Sequence, residues 1–131
     1  GRIVNIVSVS GIRAGVGRTA YGTSKAALMG LTRQIALEVA AHGVTANAIA
    51  PGAITTPLTE STYTEETVAR LLPMIPAGYM ADPADIAAAV AYLGSPDAQY
   101  VNGETLIVDG GYVCGGMMHT GTLDLGLKSS A

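Results

Sequence analysis

The chain has 131 residues, of which 49% are hydrophobic and 13% are charged, so its composition excludes intrinsic disorder and suits a single domain. Its formal net charge of −3 argues against nucleic acid as a partner. No apolar run approaches the roughly 18 residues of a membrane span, so we expect no membrane segment, and the first residues show no signal-peptide pattern. The single cysteine, Cys114, cannot form an internal disulfide and is typical of a cytoplasmic protein.

The charges are unevenly distributed along the chain. Residues 1–37 contain basic side chains and no acidic one, whereas every acidic residue follows at Glu38 or later. This asymmetry indicates either an anionic ligand or a neighbouring segment of protein beside the first third of the chain. The basic residues of that third are Arg2, Arg13, Arg18, Lys25 and Arg33.

The first predicted element is a strand over residues 3–7, because Ile3-Val4-Asn5-Ile6-Val7 is β-branched and almost continuously apolar. Such a run is typical of a strand that is buried on both faces of a parallel sheet. Residues 8–18 are rich in Ser, Gly and Arg, which predicts a loop.

A long helix is predicted next, from about Ala20. Its expected buried stripe recurs at spacings of three and four residues, with polar residues between. The helix should end at His42-Gly43, where glycine suits the left-handed cap position. The residues of the stripe are Leu28, Leu31, Ile35 and Val39.

The second half of the chain repeats this order of strand and helix. A strand over 44–50 is stopped by Pro51-Gly52, and 54–79 is irregular apart from a short helix over 64–72 that Thr64 caps. Asp82 and Pro83 open another helix, which runs to Gly94. A third strand covers 106–108, and residues 115–131 form a tail with little pattern.

Strand, helix, strand, helix, strand predicts an α/β fold with a parallel sheet of three strands and flanking helices. Ligands of such sheets bind beyond the carboxyl ends of the strands. Ser8, Pro51-Gly52 and Asp109-Gly110 all follow a predicted strand, so we expect a binding site there.

Tyr21 and Lys25 lie one helical turn apart, so their side chains share a face. An ammonium group beside a phenol favours the phenolate, which lowers the tyrosine pKa toward values useful for acid–base catalysis. Ser8 follows the first strand and could orient a substrate oxygen toward the phenol. The plainer alternatives are a surface Tyr–Lys pair and an ordinary turn serine, and Ser10 competes for the role of Ser8.

Four segments in this order resemble the short-chain dehydrogenase/reductase family, in its classical type. The resemblance runs from about Arg2 to Tyr112 and is specific because the segments occur together rather than as an isolated Tyr-x-x-x-Lys. The segments are GRIVNIVSVSG at residues 1–11, YGTSK at 21–25, NAIAPG at 47–52 and VDGG at 108–111.

The resemblance implies an oxidoreductase that transfers a hydride between NAD or NADP and an alcohol or ketone. Tyr21 would donate or accept the proton, Lys25 would also hold the ribose hydroxyls, and Ser8 would stabilise the reacting oxygen. Pro51, Gly52, Ile54 and Thr56 would bind the cofactor together with Tyr21 and Lys25, and residues 57–80 would cover the substrate. Members of this family form assemblies, so the resemblance also implies a homo-oligomer, either a dimer or a tetramer.

Some features of the family are missing from the sequence. The glycine-rich phosphate turn and the residue that selects between NAD and NADP are absent, as is the helix-borne catalytic asparagine. Asn5 and Asn47 match strand positions and do not replace it, and Tyr79 stands where many relatives have arginine. We therefore expect the C-terminal part of a doubly wound, Rossmann-like sheet without its N-terminal strands.

On this interpretation residues 1–114 are the catalytic and substrate part of the domain, and residues 115–131 are a tail. The chain by itself is then expected to be an inactive fragment whose first strand has an edge open to pairing or aggregation. The main alternative is a non-catalytic interaction or oligomerisation module with the same fold, and a remoter one is an unrelated α/β domain. His42, His119 and Cys114 do not form a metal-binding pattern, so no metal site is expected.

Overall fold

The computed structural model describes residues 1–115, which form a parallel sheet of three strands in the order β1-β2-β3. The strands are β1 (Arg2–Ile6), β2 (Thr45–Pro51) and β3 (Thr105–Val108). Arg2 pairs with Thr45 at one end of β1, and Pro51 pairs with Val108 at the end of β2. The predicted α/β fold with three parallel strands is confirmed.

Four α-helices connect and flank the strands: α1 (Thr19–Val39), α2 (Pro57–Thr62), α3 (Glu65–Leu71) and α4 (Pro83–Gly94). Short 3₁₀ turns cover Val9–Gly11, Ala40–His42, Leu72–Met74 and Pro96–Ala98. Within residues 1–115, no helix is both long enough and apolar enough to cross a membrane. All but the first residue of the predicted tail, 115–131, lies outside the described residues.

The central strand β2 is buried along its whole length and separates two parts of the core. Ala48 and Ala50 pack on one face with Val7 and Met29, the latter from α1. Ile49 packs on the other face with residues of α4, including Ile86 and Leu93. Helices therefore cover both faces of the sheet, as in a doubly wound fold.

The long helix α1 contacts this sheet with a face that overlaps the predicted stripe but is rotated from it. Leu28, Ile35 and Val39 are partly buried, and Leu28 packs against the core. The buried residues of α1 are Met29, Thr32 and Ala36, whereas Leu31 is 52% exposed. Alanines at alternate positions of β2 leave a shallow surface, so small and polar residues of α1 fit against it. The predicted end of the helix is confirmed, because Gly43 adopts a left-handed φ of 68° directly after the 3₁₀ turn.

The first strand is less buried than its sequence predicts. Residues 2–5 are partly buried and Ile6 is 43% exposed, so burial is less complete than expected. Val4 still packs on the α4 side of the core and Val7 on the α1 side. The reason for the incomplete burial is position, since β1 pairs only with β2 in this part of the chain and lies at the edge of the sheet. Apolar β-branched residues favour a strand but do not show whether it has one neighbour or two.

The region 54–79 contains one helix more than predicted. Thr56 begins α2 with a capping box, because its side chain accepts from the Thr59 amide while the Thr59 hydroxyl accepts from the Thr56 amide. Thr56-Pro57 is an N-cap followed by proline, so the signal was present in the sequence. The predicted caps Thr64 and Asp82 are confirmed at the starts of α3 and α4.

Buried amides fix the connection into β3. The Asn47 side chain donates to the Val101 carbonyl over 2.8 Å and accepts from the Glu104 amide over 3.0 Å. Asn5 donates to the Thr32 hydroxyl over 3.0 Å. Both asparagines therefore make structural contacts, in agreement with the expectation that they do not replace a catalytic asparagine.

Candidate functional site

A single cleft at the carboxyl edge of the sheet contains all the side chains predicted for the site. It has a volume of about 980 Å³ and lies where β1 and β2 end, beside the start of α1 and beneath α2. Such a volume is within the range of small-molecule binding sites. The predicted residues that line the cleft are Ser8, Tyr21, Lys25, Pro51, Gly52, Ile54 and Thr56.

Two glycines hold the turn after β1 tightly against the start of α1. A Cβ on Gly11 would lie 2.8 Å from the Ala26 nitrogen and 2.9 Å from the Lys25 carbonyl carbon. A Cβ on Gly22 would lie 2.7 Å from the Ser10 oxygen. Side chains at either position would separate the turn from the helix, so these glycines let the turn that follows Ser8 pack directly on the helix that carries Tyr21.

Ser8 is buried, with 8% of its surface exposed, at the N-cap of the 3₁₀ turn Val9–Gly11. Its hydroxyl oxygen accepts a hydrogen bond from the Ser10 amide over 3.1 Å. No acceptor for its O–H occurs within residues 1–115, so the hydroxyl can donate into the cleft. Ser10 also lines the cleft, and the choice between the two serines remains a prediction.

Tyr21 and Lys25 are adjacent in the lining of the cleft, on the first turns of α1. The Lys25 Nζ donates to the Ile6 carbonyl over 3.0 Å and lies 5.7 Å from the centre of the Tyr21 ring. Tyr21 is 43% exposed. The backbone of β1 thus fixes the lysine beside the phenol, while the tyrosine remains open to a ligand.

The predicted cofactor-binding residues form the floor and one side of the cleft. Gly52 follows β2 and lies so close to β3 that a Cβ would be 2.8 Å from the Asp109 Cα. Ile54 packs against the core residues of α4, and this contact fixes the loop that follows β2. Thr56 is the N-cap of α2: its hydroxyl oxygen accepts from the Thr59 amide and lies 3.1 Å from the Thr59 hydroxyl, so the cap holds this side chain in place at the edge of the cleft.

The predicted cover over residues 57–80 is only partly above the cleft. Leu58 and Leu71 line it, together with Tyr63. Ile75 is instead a core residue with 4% exposure, and Tyr79 lines a separate small hollow of about 160 Å³. Helices α2 and α3 are therefore the part of this segment that faces a ligand.

Several lining residues were not predicted from the sequence. Arg13 and Arg18 bring positive charge to the cleft, and Val16 and Tyr112 bring apolar surface. The sequence signal for the two arginines was the excess of basic residues in the first third of the chain. That excess does not indicate which arginine faces the cleft. Arg13 donates to the carbonyls of Val113 and Gly115 and so ties the loop after β1 to the turn after β3.

The described residues contain no group of three or more His, Cys, Asp and Glu side chains that could hold a metal ion. His42 lies in the 3₁₀ turn after α1, and Cys114 is exposed with its thiol donating to the Gly111 carbonyl. His119 lies outside the described residues.

Comparison with known proteins identifies relatives over most of this chain. Residues 1–113 match the family model described as enoyl-(acyl carrier protein) reductase. The 3-oxoacyl-[acyl-carrier-protein] reductase FabG of Vibrio cholerae is 47% identical over 111 residues, which are 85% of this chain and 45% of that protein. The chain thus spans about half the length of the curated relatives it matches.

Solved structures show the same relation. The structure of 4-hydroxyisoleucine dehydrogenase complexed with NADH is 38% identical with a TM-score of 0.85, covering 88% of this chain and 48% of that one. A blue fluorescent protein from a metagenomic library, in complex with NADPH, is 42% identical with a TM-score of 0.80, covering 86% and 45%. The three-stranded sheet with its helices is therefore part of a Rossmann-like fold.

Proposed function

Because the chain belongs to the short-chain dehydrogenase/reductase family, we propose that its residues form the catalytic half of an NAD- or NADP-dependent oxidoreductase. The substrate is an alcohol or a ketone of small molecular size. The observation that carries the proposal is the cleft that gathers Ser8, Tyr21 and Lys25 at the carboxyl edge of the sheet.

The residues of the cleft fit a nicotinamide cofactor. Gly52 lets the turn after β2 pack directly against Asp109, because a Cβ would lie 2.8 Å from the Asp109 Cα, and this contact holds the backbone that lines the cleft. Lys25 presents an ammonium group to ribose hydroxyls, and Pro51, Ile54 and Thr56 line the adjacent wall. When bound, the nicotinamide supplies or accepts the hydride. One of the two solved structures contains NADH and the other NADPH, so both nucleotides are candidates for this protein.

The protein side of the reaction is a proton transfer at the Tyr21 hydroxyl. In reduction the phenol donates its proton to the oxygen of the substrate, and in oxidation the phenolate accepts it. Lys25, fixed by the Ile6 carbonyl, places an ammonium group 5.7 Å from the centre of the Tyr21 ring, where it stabilises negative charge that develops as the proton leaves. The Ser8 hydroxyl donates to the same substrate oxygen and holds it against the tyrosine.

We propose further that the enzyme is a homo-oligomer, a dimer or a tetramer. Large apolar side chains remain exposed on α1, α4 and β3, which would be covered by a second copy. They are Leu31, Leu37, Tyr92 and Ile107. Sedimentation equilibrium of the full-length protein tests this, and a monomer at micromolar concentration would contradict it.

The proposed location of the protein is the cytoplasm, because a single cysteine is typical of proteins in a reducing compartment.

The proposed function is tested by titrating the full-length protein with NADH and NADPH in a calorimeter and then assaying nicotinamide oxidation with a series of ketones. We expect binding of at least one nucleotide and turnover of at least one ketone. A folded protein that binds neither nucleotide would favour the non-catalytic interaction module. The same measurement on the 131 residues alone determines whether this part binds cofactor by itself.

A further inference from the structure

We propose that the substrate carries an oxyanion group, a carboxylate or a phosphate, and that Arg18 binds this group at the mouth of the cleft. The inference rests on the proposed oxidoreductase function and narrows its substrate class. It also identifies a residue that determines specificity, beyond those expected to perform the chemistry.

The first observation is the charge of the cleft. Its charged lining residues are Arg13, Arg18 and Lys25, and no aspartate or glutamate lines it within the described part of the chain. A cleft with charge of one sign attracts ligands of the opposite sign. The excess of basic residues in the first third of the sequence is thus concentrated, in part, around the ligand.

The second observation is that the Arg18 guanidinium, unlike the other two cations of the cleft, has no hydrogen-bond partner among residues 1–115. The Lys25 Nζ donates to the Ile6 carbonyl, and the Arg13 guanidinium donates to the carbonyls of Val113 and Gly115. The Arg18 side chain is exposed and forms neither a hydrogen bond nor an ion pair with residues 1–115. The salt bridge found among those residues joins Arg70 and Glu66, on α3.

The third observation is that helix stability does not account for an arginine at this position. Arg18 is the N-cap residue of α1, its side chain makes no capping hydrogen bond, and the first turn of α1 contains no acidic residue. A positive charge at a helix N-terminus opposes the helix dipole. Helices α2, α3 and α4 instead have acidic side chains in their first turns.

The position of Arg18 relative to Tyr21 indicates where the oxyanion would lie. The Arg18 Cζ is 5.7 Å from the centre of the Tyr21 ring, one helical turn before it. A substrate whose carbonyl reaches the phenol can therefore place an oxyanion a few bonds away within reach of the guanidinium, whose fork matches carboxylate and phosphate. Val16 and Leu58, both strongly exposed at the rim, offer apolar contact to the rest of the substrate.

The test compares three matched series of ketones with the full-length enzyme: straight-chain oxo acids, the primary amides of the same acids, and oxoalkyl phosphates. We expect kcat/KM to be about tenfold higher for at least one anionic series than for the amides. In the Arg18→Gln variant the ratio of kcat/KM for the anionic ketone to kcat/KM for the matching amide should fall toward one. Preference for the carboxylate or the phosphate series identifies the group that is bound.

The matched control is Arg33→Gln, which removes the same charge from an exposed part of α1 outside the cleft and should leave the ratio unchanged. Equal rates for amides and anions would overturn the inference, and so would an Arg18→Gln variant whose main defect is weaker cofactor binding. The proposed function would survive either result. Failure of every ketone in the three series to oxidise the nicotinamide would instead contradict the proposed function, and the inference with it.

Discussion

Buried hydroxyl groups in this protein differ in whether they have hydrogen-bond partners. The Thr32 hydroxyl accepts from the Asn5 amide and donates to the Leu28 carbonyl over 2.7 Å, which joins α1 to β1. The Thr45 hydroxyl, on β2, is buried without a partner among residues 1–115. A buried polar group without a partner costs stability, whereas removing a satisfied one leaves its partner unpaired.

We therefore predict opposite effects for the same substitution. Thr45→Val should raise the free energy of unfolding by about 1 kcal/mol, because it replaces an unsatisfied hydroxyl by a methyl group of similar size. Thr32→Val should lower it by about 1–3 kcal/mol, because the Asn5 amide then lacks its acceptor. Urea unfolding of the full-length protein measures both, and equal signs would contradict this explanation.

Lys25 is the residue for which two roles are proposed. Lys25→Ala should weaken nicotinamide nucleotide binding and also reduce kcat, because the ammonium group is proposed to hold the ribose and to stabilise charge that develops on the Tyr21 oxygen during proton transfer. Calorimetry and steady-state kinetics separate the two effects. A variant that loses only cofactor affinity would contradict the role of the lysine in proton transfer.

At the scale of single elements, α1 positions the site because the turn after β1 rests directly on its backbone. Gly11→Ala should destabilise the protein by about 1–3 kcal/mol, since the new Cβ would meet the backbone of Lys25 and Ala26. It should also lower kcat, because Ser8 would move away from Tyr21.

Gly30→Ala is the matched control for that substitution. Gly30 lies within α1 and a Cβ there meets no atom within 4 Å, so alanine should stabilise the helix by about 0.5–1 kcal/mol. Thermal unfolding and kcat of the two variants are compared. A Gly11→Ala enzyme with unchanged stability and rate would show that the tight contact between turn and helix is not needed.

The elements that sequence predicts best are those with strong local signals. Asp82-Pro83 marks the start of α4 and Gly43 the end of α1, because caps depend on neighbouring residues. Of the predicted stripe of α1, Leu28, Ile35 and Val39 are partly buried, whereas Leu31 is exposed. The most buried positions of the helix depend on the alanines of β2 and not on α1 itself. Helix α2 was missed although Thr56-Pro57 signalled it.

For the molecule as a whole, the absence of Phe and Trp now has a partial structural explanation. Ala46, Ala48 and Ala50 on the central strand are fully buried, so the core between the sheet and α1 is thin and has no space for large rings. The open edge of β1 and the basic character of the first third were predictable, but which residues of β1 are exposed and which cations line the cleft were not, since both depend on contacts between distant segments. The site motif was predictable because its residues follow strand ends and a helix start.

The central claim is that Tyr21 transfers the proton in a nicotinamide-dependent oxidation or reduction. The most direct measurement is kcat of full-length Tyr21→Phe, together with its affinity for NADH or NADPH. We predict that kcat falls by about a hundredfold or more while nucleotide affinity stays nearly unchanged, because only the proton-transferring hydroxyl is removed. A variant that retains a substantial part of the wild-type rate would contradict the claim.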